Sequence, residues 1–180
     1  MEQSKADGIA VYAGSSNNIN PLYFEAAEAI GADIARRGLV TVNGGGDMGL
    51  MGATINGALA AGGKTVGVLP RFMMDKGWAH PQLTECLVVK DMHERKATMA
   101  RMSRGVIALP GGIGTFEELT EMMTWRKLGL FNGNVVILNI NGFYDPLLEM
   151  FRRAGDEGFM RDGLADVTDD PLEAVALAAR

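Results

Sequence analysis

The sequence predicts an α/β fold, a doubly wound parallel sheet with helices on both faces. Three observations predict it. Short apolar runs alternate with stretches of helical periodicity along the whole chain. The runs are nearly continuous rather than alternating, as expected of strands covered on both faces. Three of them empty into glycine-rich loops at Gly14-Ser15, Gly44-Gly45-Gly46 and Gly111-Gly112. Right-handed crossovers gather such loops on the carboxyl edge of the sheet, where open α/β sheets bind ligands.

Each element follows in order. Ile9 to Gly14 is the first strand, followed by a polar loop through Asn20. Pro21 opens a helix whose apolar spacing is given by Ala26, Ala27, Ile30 and Ile34, and Gly38 closes it. Leu39 to Val42 is the second strand, and a second helix ends at Gly62-Gly63. Thr65 to Leu69 is the third strand, broken by Pro70. Residues 71–84 have no clear period and suggest a loop beside a pocket mouth. Cys86 to Val89 is the fourth strand, Met92 to Arg104 a helix, and Gly105 to Leu109 the fifth strand. A helix follows the Gly111 loop, then a sixth strand from Asn134 to Ile140. A helix from Tyr144, an edge strand at Ala165 to Val167 and a last helix from Pro171 complete the chain. With no linker or repeat, residues 1–180 constitute one nucleotide-binding α/β domain on this reading.

Composition narrows the function. Seventeen basic against 22 acidic residues give a net charge of −5, which advertises neither nucleic acid nor membrane as a partner. The first residues are polar and charged, unlike a signal peptide, and no apolar run is long enough for a bilayer. One cysteine, Cys86, permits no internal disulfide and fits a reducing, cytoplasmic setting. His80 and His93 have no metal-ligand spacing and suit a loop or a helix surface, so no metal and no cofactor is expected.

The stretch Leu109 to Glu118 is the most informative. Three glycines at a strand-to-helix junction allow close backbone approach, and the helix start offers free N–H groups and the positive end of its dipole. That suits a phosphate. Glu118 and Glu121 share a helix face, which makes them either surface carboxylates or groups facing the sugar of a nucleotide. Glu117 points elsewhere and complements the helix dipole. Gly44 to Gly52 is either a second backbone cradle or a set of tight turns with close helix–sheet packing. It lacks the Lys-Ser/Thr pair of a Walker loop, and the first strand lacks the dinucleotide fingerprint. Arg95 interrupts an apolar stripe of Met92, Met99 and Met102. It either extends to the surface or meets a carboxylate or phosphate, and Lys96 beside it meets a phosphate or solvent.

Together these residues resemble the LONELY GUY phosphoribohydrolases. Pro110-Gly111-Gly112-Ile113-Gly114-Thr115-Phe116-Glu117-Glu118 matches their Pro-Gly-Gly-x-Gly-Thr-x-x-Glu signature. Gly44 to Gly52 matches their second glycine motif, and Met92 with Arg95-Lys96 matches their Met-x-x-Arg-Lys element. Val11 to Ser16 is similar to their first strand and loop. The resemblance implies a Rossmann-like fold and a homodimer. It also implies hydrolysis of the N-glycosidic bond of cytokinin-type riboside 5′-monophosphates, with AMP an alternative substrate. On the same grounds Arg95 and Glu118 form the catalytic pair. Gly111, Gly112, Gly114 and Thr115 hold the 5′-phosphate, and Glu121 contacts the ribose. Gly14, Ser15, Gly45, Met92 and Lys96 complete the substrate-binding set. After Trp125 the chain departs from the family pattern, and Trp78, Met92 and Phe131 are candidates for reading the base. A nucleotide- or cofactor-binding protein of the same fold, a nicotinamide oxidoreductase and a lysine decarboxylase are the competing readings.

Overall fold

A computed structural model describes residues 7–180; the polar start of the chain, on which the signal-peptide reading rests, lies outside them. Seven parallel strands form one sheet in the order β4-β3-β2-β1-β5-β6-β7. They are β1 (Gly8–Tyr12), β2 (Val40–Asn43), β3 (Lys64–Pro70), β4 (Glu85–Val89), β5 (Ser103–Ala108), β6 (Asn134–Leu138) and β7 (Asp166–Thr168). The chain first builds outward from β1 to β4, then returns to the other side of β1 with β5. The order therefore reverses between β1 and β5, and a crevice opens outside their carboxyl ends.

Helices α1 (Pro21–Arg36), α2 (Gly49–Ala60) and α7 (Pro171–Ala178) cover one face. Helices α4 (Met92–Arg101), α5 (Ile113–Leu128) and α6 (Asp145–Asp156) cover the other. Strand β1 shows why the runs are continuous. Ile9 and Val11 pack under α1 and α2, whereas Ala10 and Tyr12 point to α4 and α5, and all are buried. Helices α1 and α2 touch through glycine. A Cβ on Gly31 would lie 2.0 Å from the Thr54 carbonyl oxygen, and one on Gly57 would lie 2.2 Å from that of Glu28. Alanine's better helix propensity, about 1 kcal/mol, is smaller than the cost of forcing two backbones apart.

Several expectations need correction. Pro70 does not break β3; it is the last residue of the strand and stands opposite Val89 of β4. It can, because a proline at a strand end sacrifices little pairing. Residues 71–84 contain a short helix, α3 (Arg71–Asp75), too brief to show a period. Helix α4 stops at Arg101, so β5 begins at Ser103, whose hydroxyl bonds the Met99 carbonyl. Strand β6 ends at Leu138, and a 3-10 turn over Ile140–Gly142 follows, with Asn141 at φ 54°. His80 is buried rather than a surface loop residue: its ring bonds Asn56 Oδ1 and accepts from Gln82 N–H. Phe131 is buried and packed in the core cluster that includes α5, away from the cavities at the crevice. Cys86 lies in β4 and is exposed. Among the described residues no helix is long and apolar enough to cross a membrane.

Candidate active site

The three glycine-rich loops meet at the crevice. Gly14 N–H donates to the Pro110 carbonyl at 3.1 Å, joining the first loop to the third. Gly49 N–H donates to Asn17 Oδ1 at 2.7 Å, and Leu50 N–H to the Gly14 carbonyl at 2.9 Å, joining the first to the second. These two bonds also decide which helix start is open. The first N–H groups of α2 are taken by the Gly14–Asn17 loop. Helices α1, α4 and α7 are capped by the side chains of Asn20, Asp91 and Asp170. Helix α5 begins at Gly112 with no side-chain cap, and Ile113, Gly114 and Thr115 find no N–H acceptor among the described residues. A Cβ on Gly112 or Gly114 would meet nothing within 4 Å. Gly111 is different: its Cβ would lie 2.1 Å from Thr115 Oγ1, so the buried threonine packs on the loop itself. The open helix start is thus Gly112 to Thr115, with the loop pinned from below by Tyr144, whose hydroxyl donates to the Leu109 carbonyl at 2.6 Å.

Arg95 is buried, at 7% exposure, and does not extend to the surface. Its partners are backbone carbonyls. Nε donates to Val68 O and Nη2 to Gly44 O, both at 2.9 Å. These carbonyls lie just past Asn43↔Gly67, the last pair of β2 and β3. The guanidinium thus ties together the two strand ends where pairing stops. A Cβ on Gly44 would lie 1.8 Å from Nη2, which explains the first glycine of the triplet. Gly45 follows at φ 69° with Leu69 against it, and Asn43 Oδ1 accepts its N–H. The glycines of this loop therefore admit Arg95 and Leu69; its backbone is a support for the site.

Arg95 and Glu118, the expected catalytic pair, are not joined by an ion pair. No carboxylate among the described residues is within salt-bridging distance of Arg95. The two nevertheless feel each other: burial pulls the guanidinium below its ordinary value, and Glu118 pushes it back up. Glu118 itself accepts no hydrogen bond from the described residues and is half-buried. Burial raises its carboxyl from 4.5 to about 7, against the pull of Arg95.

Lys96 and Glu117 also depart from expectation. Lys96 is buried and bonded to Glu117, and its Nζ lies 3.1 Å from Glu121 Oε2. Burial opposes its charge, but the two carboxylates prevail and hold the ammonium above its usual value. The pair Lys96–Glu121 therefore locks α4 to α5 instead of standing free for a ligand. Met92 is exposed at the site's rim with its sulfur 3.9 Å from Arg95 Nη1.

Two cavities adjoin the crevice and share Ser15. One, of about 280 Å³, runs along Gly14, Ser15, Pro110, Gly111 and Gly112. The other, of about 340 Å³, lies among Ser15, Gly46, Asp47, Met48, Gly77 and Trp78. Trp78 reaches it because its carbonyl accepts Asp47 N–H and Ala79 bridges Gly46, so the pocket-mouth reading of this segment holds. Among the described residues no group of three or more His, Cys, Asp or Glu could hold a metal ion. Sequence patterning overlooks Tyr12, a lone phenol in an aliphatic strand. It is 2% exposed and stands in the field of Glu118, Glu121 and Arg95.

The chain is similar to known proteins over most of its length. Residues 51–177 match the model of a family described as "Possible lysine decarboxylase". The chain is 46% identical over 153 residues to a cytokinin riboside 5′-monophosphate phosphoribohydrolase of Rhodococcoides fascians, covering 84% of this chain and 77% of that one. It is 42% identical over 159 residues to the phosphoribohydrolase LOG5 of Arabidopsis thaliana, covering 88% and 70%. The chain belongs to the LONELY GUY family. Its fold is also that of a molybdenum cofactor binding protein from Rippkaea orientalis, with a TM-score of 0.72 at 24% identity over 94% of this chain and 93% of that one. That likeness extends to the fold alone. In this LONELY GUY chain the signature glutamate and the arginine of the Arg-Lys element are near enough to act on each other's charge.

The raised Glu118 carboxyl links stability to pH. Below 4.5 it is protonated in folded and unfolded chains alike. Between 4.5 and about 7 the folded chain keeps the proton longer, so this stabilisation falls as pH rises and is lost above about 7. Glu118→Gln cannot ionise. Urea titration at pH 8 should find the variant more stable than wild type by on the order of 3 kcal/mol, with the gap closing toward pH 4.5. A gap independent of pH would contradict the assignment.

Proposed function

We propose that this protein hydrolyses the N-glycosidic bond of a purine riboside 5′-monophosphate of the cytokinin type, releasing free base and ribose 5-phosphate. One observation supports this above the others. Glu118, a carboxylate without a donor among the described residues, lies one turn beyond the uncapped start of α5 and close to a buried arginine. The 5′-phosphate sits on the N–H groups of Gly112, Gly114 and Thr115, and the Gly14-Ser15 loop closes its flank. Glu118 is four residues along α5 from Gly114, about 6 Å along the axis, so the ribose lies between phosphate and carboxylate.

Bond cleavage builds positive charge on the ribose and negative charge on the departing base. Glu118 stabilises the first and takes the proton of the attacking water as its oxygen bonds to C1′, while the electrons of the broken bond leave with the base nitrogen, which takes a proton from solvent water. Arg95 remains charged throughout. Anchored by two carbonyls, it keeps its place while Nη1 and its positive charge serve the ligand and hold Glu118 partly ionised. The anchored phosphate positions C1′ through binding energy remote from the reacting bond. Lys96 and Glu121 keep α5 in register, and Glu121 flanks the ribose. The base points toward Met48 and Trp78, whose apolar surface suits an N6-isopentenyl tail.

The decarboxylase description has a chemical obstacle here. A Schiff-base lysine needs a lowered pKa, and Lys96 is held above its usual value by two carboxylates. Product analysis separates the remaining readings. Wild type should release base from AMP or its N6-isopentenyl derivative, with the larger kcat/KM for the latter, and Glu118→Gln should lose at least about a hundredfold in kcat. Tight binding of both nucleotides with no release of base would favour a carrier instead.

The protein is a homodimer in this reading. Ile113, at 85% exposure, and Leu128 and Leu130 leave apolar surface at both ends of α5. Light scattering should find a particle of two chains, and Ile113→Glu should shift it toward one; a wild-type monomer at micromolar concentration would end the dimer proposal.

A further inference from the structure

Most buried polar side chains among the described residues are partnered, Thr41 Oγ1, Arg104 Nε and Arg126 Nη1 being enclosed exceptions. The His80 ring has Asn56 and Gln82, Lys96 has Glu117 and Glu121, and the Tyr144 hydroxyl has the Leu109 carbonyl. Tyr12 differs. Its side chain is as buried as that of Tyr144, yet its hydroxyl makes no hydrogen bond among the described residues. Its oxygen is not one of the fully enclosed unpartnered atoms, so the little surface that Tyr12 keeps includes its hydroxyl, which is open to a partner from outside the protein.

Placement in the fold indicates what the hydroxyl faces. Tyr12 is the last residue of β1, beside the reversal of strand order, and its carbonyl is paired with Leu109 N–H. The side chain points to the α4/α5 face, with Ala10 and away from Val11. Helix α4 supplies Arg95 to that space and α5 supplies Glu118. Burial raises the phenol well above its ordinary range, and Glu118 adds to the effect, so the hydroxyl remains a donor at every working pH. Glu118 is an acceptor with no donor, and Tyr12 is a donor with no acceptor. Glu118 is near enough to act on the Tyr12 phenol, and an oxygen carrying a proton satisfies both at once.

We propose that Tyr12 is a third residue of the reacting site, its hydroxyl donating to a hydroxyl oxygen that Glu118 holds from the other side. The oxygen belongs to the attacking water or to the ribose 2′-hydroxyl. This rests on the phosphoribohydrolase reading above.

Tyr12→Phe removes the donor and keeps the ring. Steady-state kinetics with AMP and 2′-deoxy-AMP separate the two sources. If the oxygen is water, kcat falls about tenfold on both nucleotides with KM little changed. If it is the 2′-hydroxyl, the loss is confined to AMP, and the preference for AMP over its deoxy analogue disappears. In both cases the melting temperature stays at or above that of wild type, because no folded-state bond is lost. Unchanged kinetics on both nucleotides would overturn the proposal. A wild type inert toward both would overturn the hydrolase reading instead. Calorimetric binding of ribose 5-phosphate then decides for Tyr12: weaker binding by Tyr12→Phe sustains its contact with a ligand hydroxyl, and equal binding overturns it.

Discussion

The buried guanidinium of Arg95 is the constraint on which the crevice depends. Two carbonyls, at Val68 and Gly44, receive it where β2 and β3 cease to pair. An unsatisfied carbonyl and an unpaired buried charge are each costly, and each relieves the other here. The arrangement has a steric requirement, because Gly44 cannot carry a side chain. It also has an electrostatic consequence. The charge is anchored by neutral groups, so it is not spent on a carboxylate, and Glu118 across the crevice is left without a partner.

That separation explains the balance of charges on the two helices. Lys96, the residue after Arg95, takes the adjacent carboxylates Glu117 and Glu121. Glu118 lies between them in sequence and remains unbonded. Burial then raises it to about 7, against the pull of Arg95 first and of Lys96 second. A surface ion pair between α4 and α5 would be worth little, but Lys96 is buried, so the lock is more than a solvated contact. Fixing α5 this way fixes both its open start at Gly112 and the depth of Glu118, which turns helix rise into a ruler between phosphate and sugar.

Much of this was legible in the sequence, for local reasons. The near-continuous apolar runs and the glycines at their ends reflect burial on two faces and tight strand-to-helix turns, and both are properties of neighbouring residues. The phosphate-type junction at Gly111 to Thr115 was legible for the same reason. What escaped depends on partners distant along the chain. For Arg95 the spacing leaves the surface, a carboxylate or a phosphate open, because spacing shows side chains, whereas its acceptors are backbone atoms 27 and 51 residues away. Glu117 was assigned to its own helix dipole, although Lys96 of α4 claims it. The burial of His80 comes from Asn56 on another helix. Helix α3 has only five residues, too few for a period to show. Tyr12 had a signal that was passed over: a hydroxyl in an otherwise aliphatic, fully buried strand.

The account turns on a carboxylate kept unpaired and poised near neutrality beside an anchored arginine. Carbon-13 NMR of side-chain-labelled glutamate measures this directly, with the Glu118 signal assigned by its loss in Glu118→Gln. The account predicts one carboxyl carbon that titrates with a midpoint near pH 7 in the free protein, apart from the other glutamates. A Glu118 carboxyl that titrates with the ordinary group near 4.5 would contradict it.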